Sequence, residues 1–223
     1  MKESDGRRRS PGRPRVPFDR IIAAALRIVD EDGADALSMR TLAQRLDTGT
    51  ATLYRAVANR GELVAHVVDC VFGEIELDPD AMRGADWEQV CLLAGQAIFD
   101  TLSRHRGVAP LLIGRVPTGP HAMVHREWFL AMLLGNGFSG EAAARAYATI
   151  ARYVLGFAIQ LPRHGAADSD AAEVSSLYHQ LDPEAFPATL AVADSLPTAT
   201  LEEEFAFGLR LIVAGLAGLR RGA

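Results

Sequence analysis

Hydroxyl and guanidinium side chains lie close together near the N-terminus, at Thr50, Thr52, Tyr54 and Arg55. Such groups donate hydrogen bonds to phosphate oxygens, and an arginine also pairs with the edge of a guanine base. Between residues 38 and 60 the chain carries four arginines and one acidic residue, a net charge of +3. This stretch therefore predicts a surface that binds a polyanion, and double-stranded DNA fits that description.

Two short helices are predicted to position these side chains. Ser38 is a good N-cap for a helix over residues 39–46, and residues 47–49 (Asp-Thr-Gly) form a tight turn. The next helix begins at Thr50 or Gly49 and extends through Leu53 to Val57. This arrangement is typical of the helix-turn-helix, whose later helix enters the major groove. The free face of that helix would carry Thr50, Ala51, Tyr54 and Arg55. An alanine there can contact a thymine methyl group.

The apolar pattern of the rest of the chain has the period of α-helices. Apolar residues recur at i, i+3 and i+4 from Phe18 to Val29, and Gly33 ends this first helix. Further helices are predicted over residues 62–76, 87–105, 120–134, 141–161, 184–193 and 201–220, with a short one near 111–114. Residues 162–182 are predicted to be a polar, mobile connector. Because no stretch alternates as a strand would, the predicted fold class is all-α.

Composition excludes several other classes of protein. The 223 residues are 49% hydrophobic, and no 18 consecutive residues are all apolar, so we predict a globular chain without a membrane span. The basic N-terminus has no apolar stretch behind it, which argues against a secretion signal and favours a cytosolic protein. Two cysteines, Cys70 and Cys91, are too few for a disulfide framework and are predicted to be reduced and buried.

The net charge of −5 is unevenly distributed. Residues 1–70 have a net charge of +2, and residues 71–223 have a net charge of −7. Residues 1–17 alternate arginines with glycine and proline and are predicted to be a flexible basic arm. Two interpretations stay open for this arm. It is a solvated tail, or its Arg13 and Arg15 enter a narrow A·T-rich minor groove.

Residues 42–46 (LAQRL) and 52–63 (TLYRAVANRGEL) resemble the DNA-binding signature of the TetR family of bacterial repressors. The resemblance implies that Arg40, Thr50, Thr52, Tyr54 and Arg60 contact DNA. Thr52 and Tyr54 would hold phosphates, Arg40 would reach a base or a phosphate, and Arg60 would contact the backbone. The sequence departs from the pattern at two positions. Asp47 replaces the usual turn glycine, and Ala56 stands where the family often has histidine, so one phosphate contact is expected to be missing.

The C-terminal part is similar to the tetracycline-repressor branch of the family. The likeness is carried by Trp87, residues 103–106 (SRHR), Gly114 with Pro117, and residues 205–212 (FAFGLRLI). It implies a larger domain that binds a small inducer and forms the dimer. Leu112 stands where the tetracycline repressor has its magnesium-ligating histidine, and Glu76 stands where another drug-binding histidine is found. The sequence therefore predicts neither a magnesium–tetracycline ligand nor any other cofactor.

A pocket between helices is the expected place for the inducer. The residues that the resemblance places there are Ile98, Leu112, Arg115, Val124, Trp128, Met132 and Tyr147. They predict an apolar or aromatic ligand, with Arg115 or Tyr147 supplying polarity, although the apolar members are equally ordinary core residues. His121 and His125 are spaced to bind a metal together, but no third ligand stands at a suitable spacing, and two exposed histidines explain them as well.

Small residues in the predicted helices 141–161 and 201–220 indicate close helix packing. Gly208, Gly215 and Gly218 lie in the last helix, where each glycine costs about 1 kcal/mol against alanine. We expect these two helices to form a four-helix dimer interface with their copies, and packing within one subunit is the alternative.

The predicted function is a homodimeric, ligand-responsive DNA-binding regulator, with repression implied by the resemblance alone. The predicted domains are the arm 1–17, a helix-turn-helix domain 18–63, and a ligand-binding and dimerisation domain 64–223. An enzyme is not expected, because the sequence lacks the common nucleotide-binding, zinc-protease and serine-hydrolase motifs. A helical sensor that has lost DNA binding is the third possibility, and it would predict an eroded recognition helix.

Overall fold

The computed structural model describes residues 16–77, 82, 84–161 and 171–221, and these residues contain helices and no β-strand. The α-helices are α1 Phe18–Asp32, α2 Met39–Arg45, α3 Thr50–Leu53, α4 Arg60–Phe72, α5 Trp87–Arg104, α6 Pro120–Gly135, α7 Gly140–Ala158, α8 Ala171–His179, α9 Pro187–Ala191 and α10 Leu201–Arg221. Short 3-10 helices occupy Ala34–Ala36 and Ala109–Leu112. The predicted all-α fold class is confirmed.

Helices α1 to α4 share one apolar core at the N-terminal end. Helix α1 packs on α2 and α4, and α2 packs on α3. Ile21, Leu42, Leu53 and Leu63 come from the four helices in turn, and each is no more than 1% exposed. Burial of a leucine-sized side chain contributes about 1.5–3 kcal/mol, so this core fixes two very short helices that would not be stable alone.

Side-chain N-caps set the start of several helices where the sequence predicted them. Ser38, Asp86 and Ser139 accept hydrogen bonds from the backbone N–H groups of Thr41 at 3.0 Å, Gln89 at 2.8 Å and Ala142 at 3.2 Å. Each cap satisfies a donor that the first turn of a helix leaves unpaired.

The C-terminal helices form a bundle around α5. Helix α5 packs against α7 and α10, α7 also packs against α6, and α4 contacts both α5 and α6. The rings of Phe99 and Phe205 stack at 4.1 Å between α5 and α10, and Trp87 meets Phe138 edge-on at 4.9 Å. Because α4 belongs to the core at both ends of the molecule, it joins the helix-turn-helix to the bundle.

Several predicted elements differ from the structure, and the helix predicted over 184–193 is limited to α9, Pro187–Ala191. Helix α8 forms inside the predicted connector 162–182, of which residues 162–170 lie outside the described part of the chain. None of its residues is buried, and its apolar repeat is limited to Val174, Leu177 and Tyr178, too short to stand out within a polar segment. Helix α3 ends at Leu53 and continues as turns to Ala56, and α4 begins at Arg60 instead of Glu62 because Asn59 caps it through the N–H of Glu62.

The two cysteines are free thiols, as predicted, although only Cys91 is fully buried and Cys70 is half-buried. Burial raises the pKa of Cys91 to about 12, which leaves its thiol protonated and unreactive. In the part of the chain that the structure describes, no helix has the length and apolar character needed to cross a lipid bilayer.

Candidate DNA-binding surface and effector cavity

The turn between α2 and α3 has the geometry of a helix-turn-helix. Asp47 adopts a positive φ of 48°, a conformation that aspartate tolerates better than most residues. Leu53 is completely buried, so the opposite face of α3 points away from the core. On that face of α3, and on the turn that continues it, Thr50, Ala51, Tyr54 and Arg55 are exposed, with 54% of Tyr54 accessible. The structure therefore brings together the side chains from which the sequence predicted a DNA-binding surface.

The other predicted DNA contacts have varied surroundings. Arg40 is exposed on α2. Thr52 is half-buried, and its Oγ1 accepts a hydrogen bond from Arg55 at 3.2 Å. Arg13 and Arg15 lie outside the described residues.

Arg60 has a role inside the protein that sequence reasoning missed. Its Nε donates to the carbonyl oxygen of Leu37 at 2.7 Å, and one Nη donates to that of Ala34 at 3.0 Å. These bonds tie the first turn of α4 to the segment that precedes α2. The carbonyls are 23 and 26 residues away in sequence, so no local pattern indicates them. Fewer of its donors are therefore left for a phosphate than the family resemblance implied.

His105 joins the N-terminal helices to the bundle. Its Nδ1 lies 2.9 Å from a carboxylate oxygen of Asp30 on α1, and its Nε2 lies 2.8 Å from one of Glu74, which follows α4. The hydrogen bond with Asp30 raises the pKa of His105, and Glu74 adds to this effect against the opposing effect of burial. Close by, a Cβ on Gly107 would overlap with the carbonyl of Val29, so the chain after α5 lies directly against α1.

Asp69 connects α4 to the start of α6. One of its carboxylate oxygens accepts from the backbone N–H groups of His121 at 3.0 Å and Ala122 at 3.2 Å, and the other lies 3.0 Å from Nδ1 of His121. A carboxylate placed there also complements the positive end of the helix dipole. Gly119 leaves the space that this approach requires, because a Cβ at that position would overlap with the Asp69 carboxylate.

The paired histidines therefore have protein partners. His121 is exposed as predicted but bonds to Asp69, whereas His125 is half-buried and its Nε2 lies 3.0 Å from the carbonyl oxygen of Phe72. No group of three potential metal ligands occurs among the described residues. Leu112, at the position of the magnesium-ligating histidine, is a buried apolar residue, so the site does not fit that metal.

A cavity of about 340 Å³ lies between the bundle helices α4 to α7, within the size range of small-molecule sites. Its wall is mostly apolar and includes Ile98, Leu112, Arg115, Trp128 and Tyr147 from the predicted ligand-binding set. The other two predicted residues lie elsewhere on α6. Val124 is 66% exposed, and Met132 packs against the core, because Ala122, His125 and Phe129 carry the face of the helix that meets the cavity.

Arg126 also lines the cavity, and the sequence analysis overlooked it. It is half-buried, its Nε lies 3.2 Å from the hydroxyl oxygen of Tyr147, and a second nitrogen lies 2.6 Å from the carbonyl oxygen of Pro117. Its guanidinium carbon lies 5.7 Å from the centre of the Tyr147 ring. Arg126 stands four residues after Ala122 on α6, and this spacing places both residues on one face of the helix. An arginine on an amphipathic helix is, however, normally assigned to the solvent face.

Helix α10 presents an apolar surface away from the cavity. Phe207 and Leu211 on α10 are 59% and 58% exposed, and the space beside Gly215 and Gly218 is open. Gly208 differs from these two glycines. A Cβ there would overlap with the hydroxyl of Tyr153 on α7, so this glycine permits packing inside one subunit.

Comparison with known proteins matches both parts of the chain. The model of the family described as bacterial regulatory proteins, tetR family, matches residues 21–67. The model described as tetracyclin repressor-like, C-terminal domain, matches residues 79–220.

Individual relatives agree with these matches. The HTH-type transcriptional repressor DrrR1 of Streptomyces coeruleorubidus is 31% identical over 97% of this chain and 84% of its own length. An HTH-type transcriptional regulator of Saccharopolyspora erythraea is 31% identical over 149 residues, which span 67% of this chain and 62% of the relative. The apo crystal structure of ActR from Streptomyces coelicolor has a TM-score of 0.82 at 34% identity, covering 95% of this chain and all of ActR. ActR has also been crystallised in complex with actinorhodin.

Proposed function

Since this chain belongs to the TetR family, whose members are DNA-binding transcriptional regulators rather than enzymes, we propose that it is a homodimeric repressor released from a palindromic operator by a small apolar or aromatic effector. The observation that carries the proposal is the recognition face of α3. Tyr54 and Arg55 are exposed on it while Leu53, on the other side, is fully buried in the core. A face held this way is free to enter a major groove without unfolding any part of the domain.

The DNA contacts divide into two classes. Thr50, Ala51 and Arg55 stand at the exposed end of α3, where side chains reach base edges, and so they would read the sequence. Arg40, Thr52, Tyr54 and Arg60 would hold phosphates and fix the register of the helix. Arg13 and Arg15 would add minor-groove contacts on A·T-rich flanks. In a symmetric dimer, the two recognition helices would meet successive major grooves about 34–36 Å apart.

The dimer interface is proposed to form from α7 and α10, within the predicted segments 141–161 and 201–220. Phe207 and Leu211 form an apolar strip on α10 that is exposed to water in a single subunit. Gly215 and Gly218 on the same helix have open space beside them, which permits the close approach of a second backbone. Burying this surface against a second copy removes apolar area from water at about 25 cal/mol per Å².

The cavity between α4 and α7 is proposed as the effector site. ActR, at 34% identity, has been crystallised with the small molecule actinorhodin, which supports a ligand role for the corresponding domain here. Phe72 of α4 lines the cavity, and α4 begins directly after the recognition segment. A ligand can shift DNA affinity only as far as it binds the two arrangements of α4 with different affinity.

We divide the chain into an arm 1–17, a DNA-binding domain 18–63 and an effector-binding and dimerisation domain 64–223. The DNA-binding role places the protein in the cytoplasm with the chromosome. No catalytic activity is part of the proposal.

A gel-shift assay tests the DNA-binding surface. The full chain should shift a duplex taken from upstream of its own gene, as a dimer and with strong salt dependence. Tyr54→Ala should abolish the specific shift, because the phosphate contact and its ring are lost, while circular dichroism and dimer mass stay unchanged. Tyr178→Ala on α8 is the matched control and should bind as the parent does. An unchanged shift with Tyr54→Ala would overturn the assignment of the recognition face.

A further inference from the structure

The guanidinium of Arg126 is a half-buried charge with only neutral partners among the described residues. Its donors reach the Tyr147 hydroxyl at 3.2 Å, the Pro117 carbonyl at 2.6 Å and the Met123 sulfur at 2.8 Å. Arginine stays charged at any pH at which the protein is folded. Removing such a charge from water without a counter-ion is unfavourable, so its position on the cavity wall favours an anion.

The charge of the whole cavity wall has the same sign. Arg115 and Arg152 line the cavity together with Arg126. Among the described residues of the wall there is no aspartate or glutamate. Arg115 and Arg152 are exposed, so water screens their charges, whereas the charge of the half-buried Arg126 is screened less and is the one that most favours a bound anion.

We propose that the effector of this cavity is an aromatic acid, and that Arg126 and the Tyr147 hydroxyl bind its carboxylate. The proposal rests on the assignment of the cavity as the effector site. A carboxylate fits the fork of a guanidinium and accepts two hydrogen bonds from it, and a phenol hydroxyl beside that fork donates a third. The apolar part of the molecule would lie along the rings of Trp128, Phe129 and Tyr147, whose neighbouring centroids are 6.4 Å and 6.1 Å apart.

Binding of this carboxylate would also compete with a hydrogen bond inside the protein, between Arg126 and Pro117. One Arg126 nitrogen donates to the carbonyl of Pro117, and a carboxylate is a stronger acceptor than a carbonyl. Pro117 belongs to the segment 113–119, which ends at Gly119 against Asp69 of α4. A second cavity of about 250 Å³ separates this segment from Val64 and Val68 of α4 and leaves it room to shift. The acid group therefore acts on the segment that contacts α4.

Two fluorescent probes that differ in charge alone test the proposal. Anthracene-2-carboxylate and its neutral amide, anthracene-2-carboxamide, are titrated into the full-length protein, and binding is followed by fluorescence anisotropy. The parent protein should bind the carboxylate roughly tenfold or more tightly than the amide, the size expected for a charge-assisted hydrogen bond. Arg126→Met should abolish this preference and leave the affinity for the amide within about twofold, whereas Arg126→Lys should retain part of it. Arg145→Met on α7 lies outside the cavity wall and should behave as the parent does.

Several results would overturn the proposal. Equal affinity of the parent for both probes, failure of both probes to bind, or an undiminished carboxylate preference in Arg126→Met would each exclude Arg126 as the receptor of an acid group. These outcomes are separate from a failure of the proposed function, because operator binding is measured without ligand. A parent protein that shifts operator DNA normally but shows no carboxylate preference would remove the aromatic-acid assignment alone.

Discussion

Replacing Asp69 by alanine is expected to lower the free energy of unfolding by about 3 kcal/mol. The structure gives the parts of this estimate. Ala122 is only 2% exposed, and its N–H would lose its acceptor without gaining water, which costs about 1–3 kcal/mol. The N–H and ring of His121 reach solvent more easily, so their loss resembles the removal of an N-cap, about 1 kcal/mol.

The assay is thermal unfolding at fixed protein concentration, since dimerisation makes the melting temperature depend on concentration. For a chain of this size, about 3 kcal/mol corresponds to a decrease of roughly 6–12 °C. Asp69→Asn keeps an oxygen that accepts from both backbone N–H groups and should lose less than half as much. Gly119→Ala should approach the loss of Asp69→Ala, because its Cβ would displace the carboxylate. A melting temperature for Asp69→Ala within about 2 °C of the parent value would show that the Asp69 hydrogen bonds do not stabilise the fold as described.

Further predictions concern other contacts in the fold. Because the folded-state pKa of His105 is raised, the stability that its protonated form contributes is complete below its unfolded value of about 6.5 and is lost as the pH rises through the raised value. The melting temperature of the parent should therefore fall more between pH 6 and pH 9 than that of His105→Gln, and parallel profiles would contradict this. Gly208→Ala should destabilise by about 1–3 kcal/mol through overpacking, and adding Tyr153→Phe should recover part of the loss in a urea-unfolding double-mutant cycle. Additive losses would show that the two residues do not interact. Arg60→Ala should lower the melting temperature as well as DNA affinity, since it removes two bonds to backbone carbonyls, and a purely DNA-binding residue would leave the melting temperature unchanged.

The helices that the sequence predicted well are those whose start is marked by a capping residue followed by an apolar repeat. Ser38, Asp86 and Ser139 each stand before an apolar repeat, so cap and periodicity agree, and the observed starts match to within one residue. Helix α8 has only a short apolar repeat, Val174, Leu177 and Tyr178, and it lies on the surface and buries none of its side chains. Its Ser175 and His179 instead bond to Asp194, which is 15 to 19 residues further along the chain.

The candidate site was predictable only in part, because some of its contacts join residues that are far apart in the sequence. The exposed face of α3 follows from the spacing of Leu53 and Tyr54 on one short helix, which is a local property. The hydrogen bonds of Asp69 span 52 and 53 residues, and the contact of His105 with Asp30 spans 75, so no window of sequence contains both partners. Which side chains of α6 line the cavity depends on how that helix is rotated about its own axis. A difference of one position along that helix, about 100° of rotation, separates Val124 from the wall residue His125.

The position of His105 between α1 and α4 limits how this protein can be re-engineered as a biosensor. Grafting a foreign operator-reading domain onto the bundle exchanges Asp30 and Val29, yet His105 and Gly107 on the retained side were shaped to meet them. A chimera that recreates a carboxylate at the first position should keep the hydrogen bond to His105, whereas one with an apolar residue there should leave that side of the imidazole without its partner. The design of such a chimera therefore has to restore the contacts of His105 and Gly107 with the new domain, as well as choose the point in the chain where the two proteins are joined.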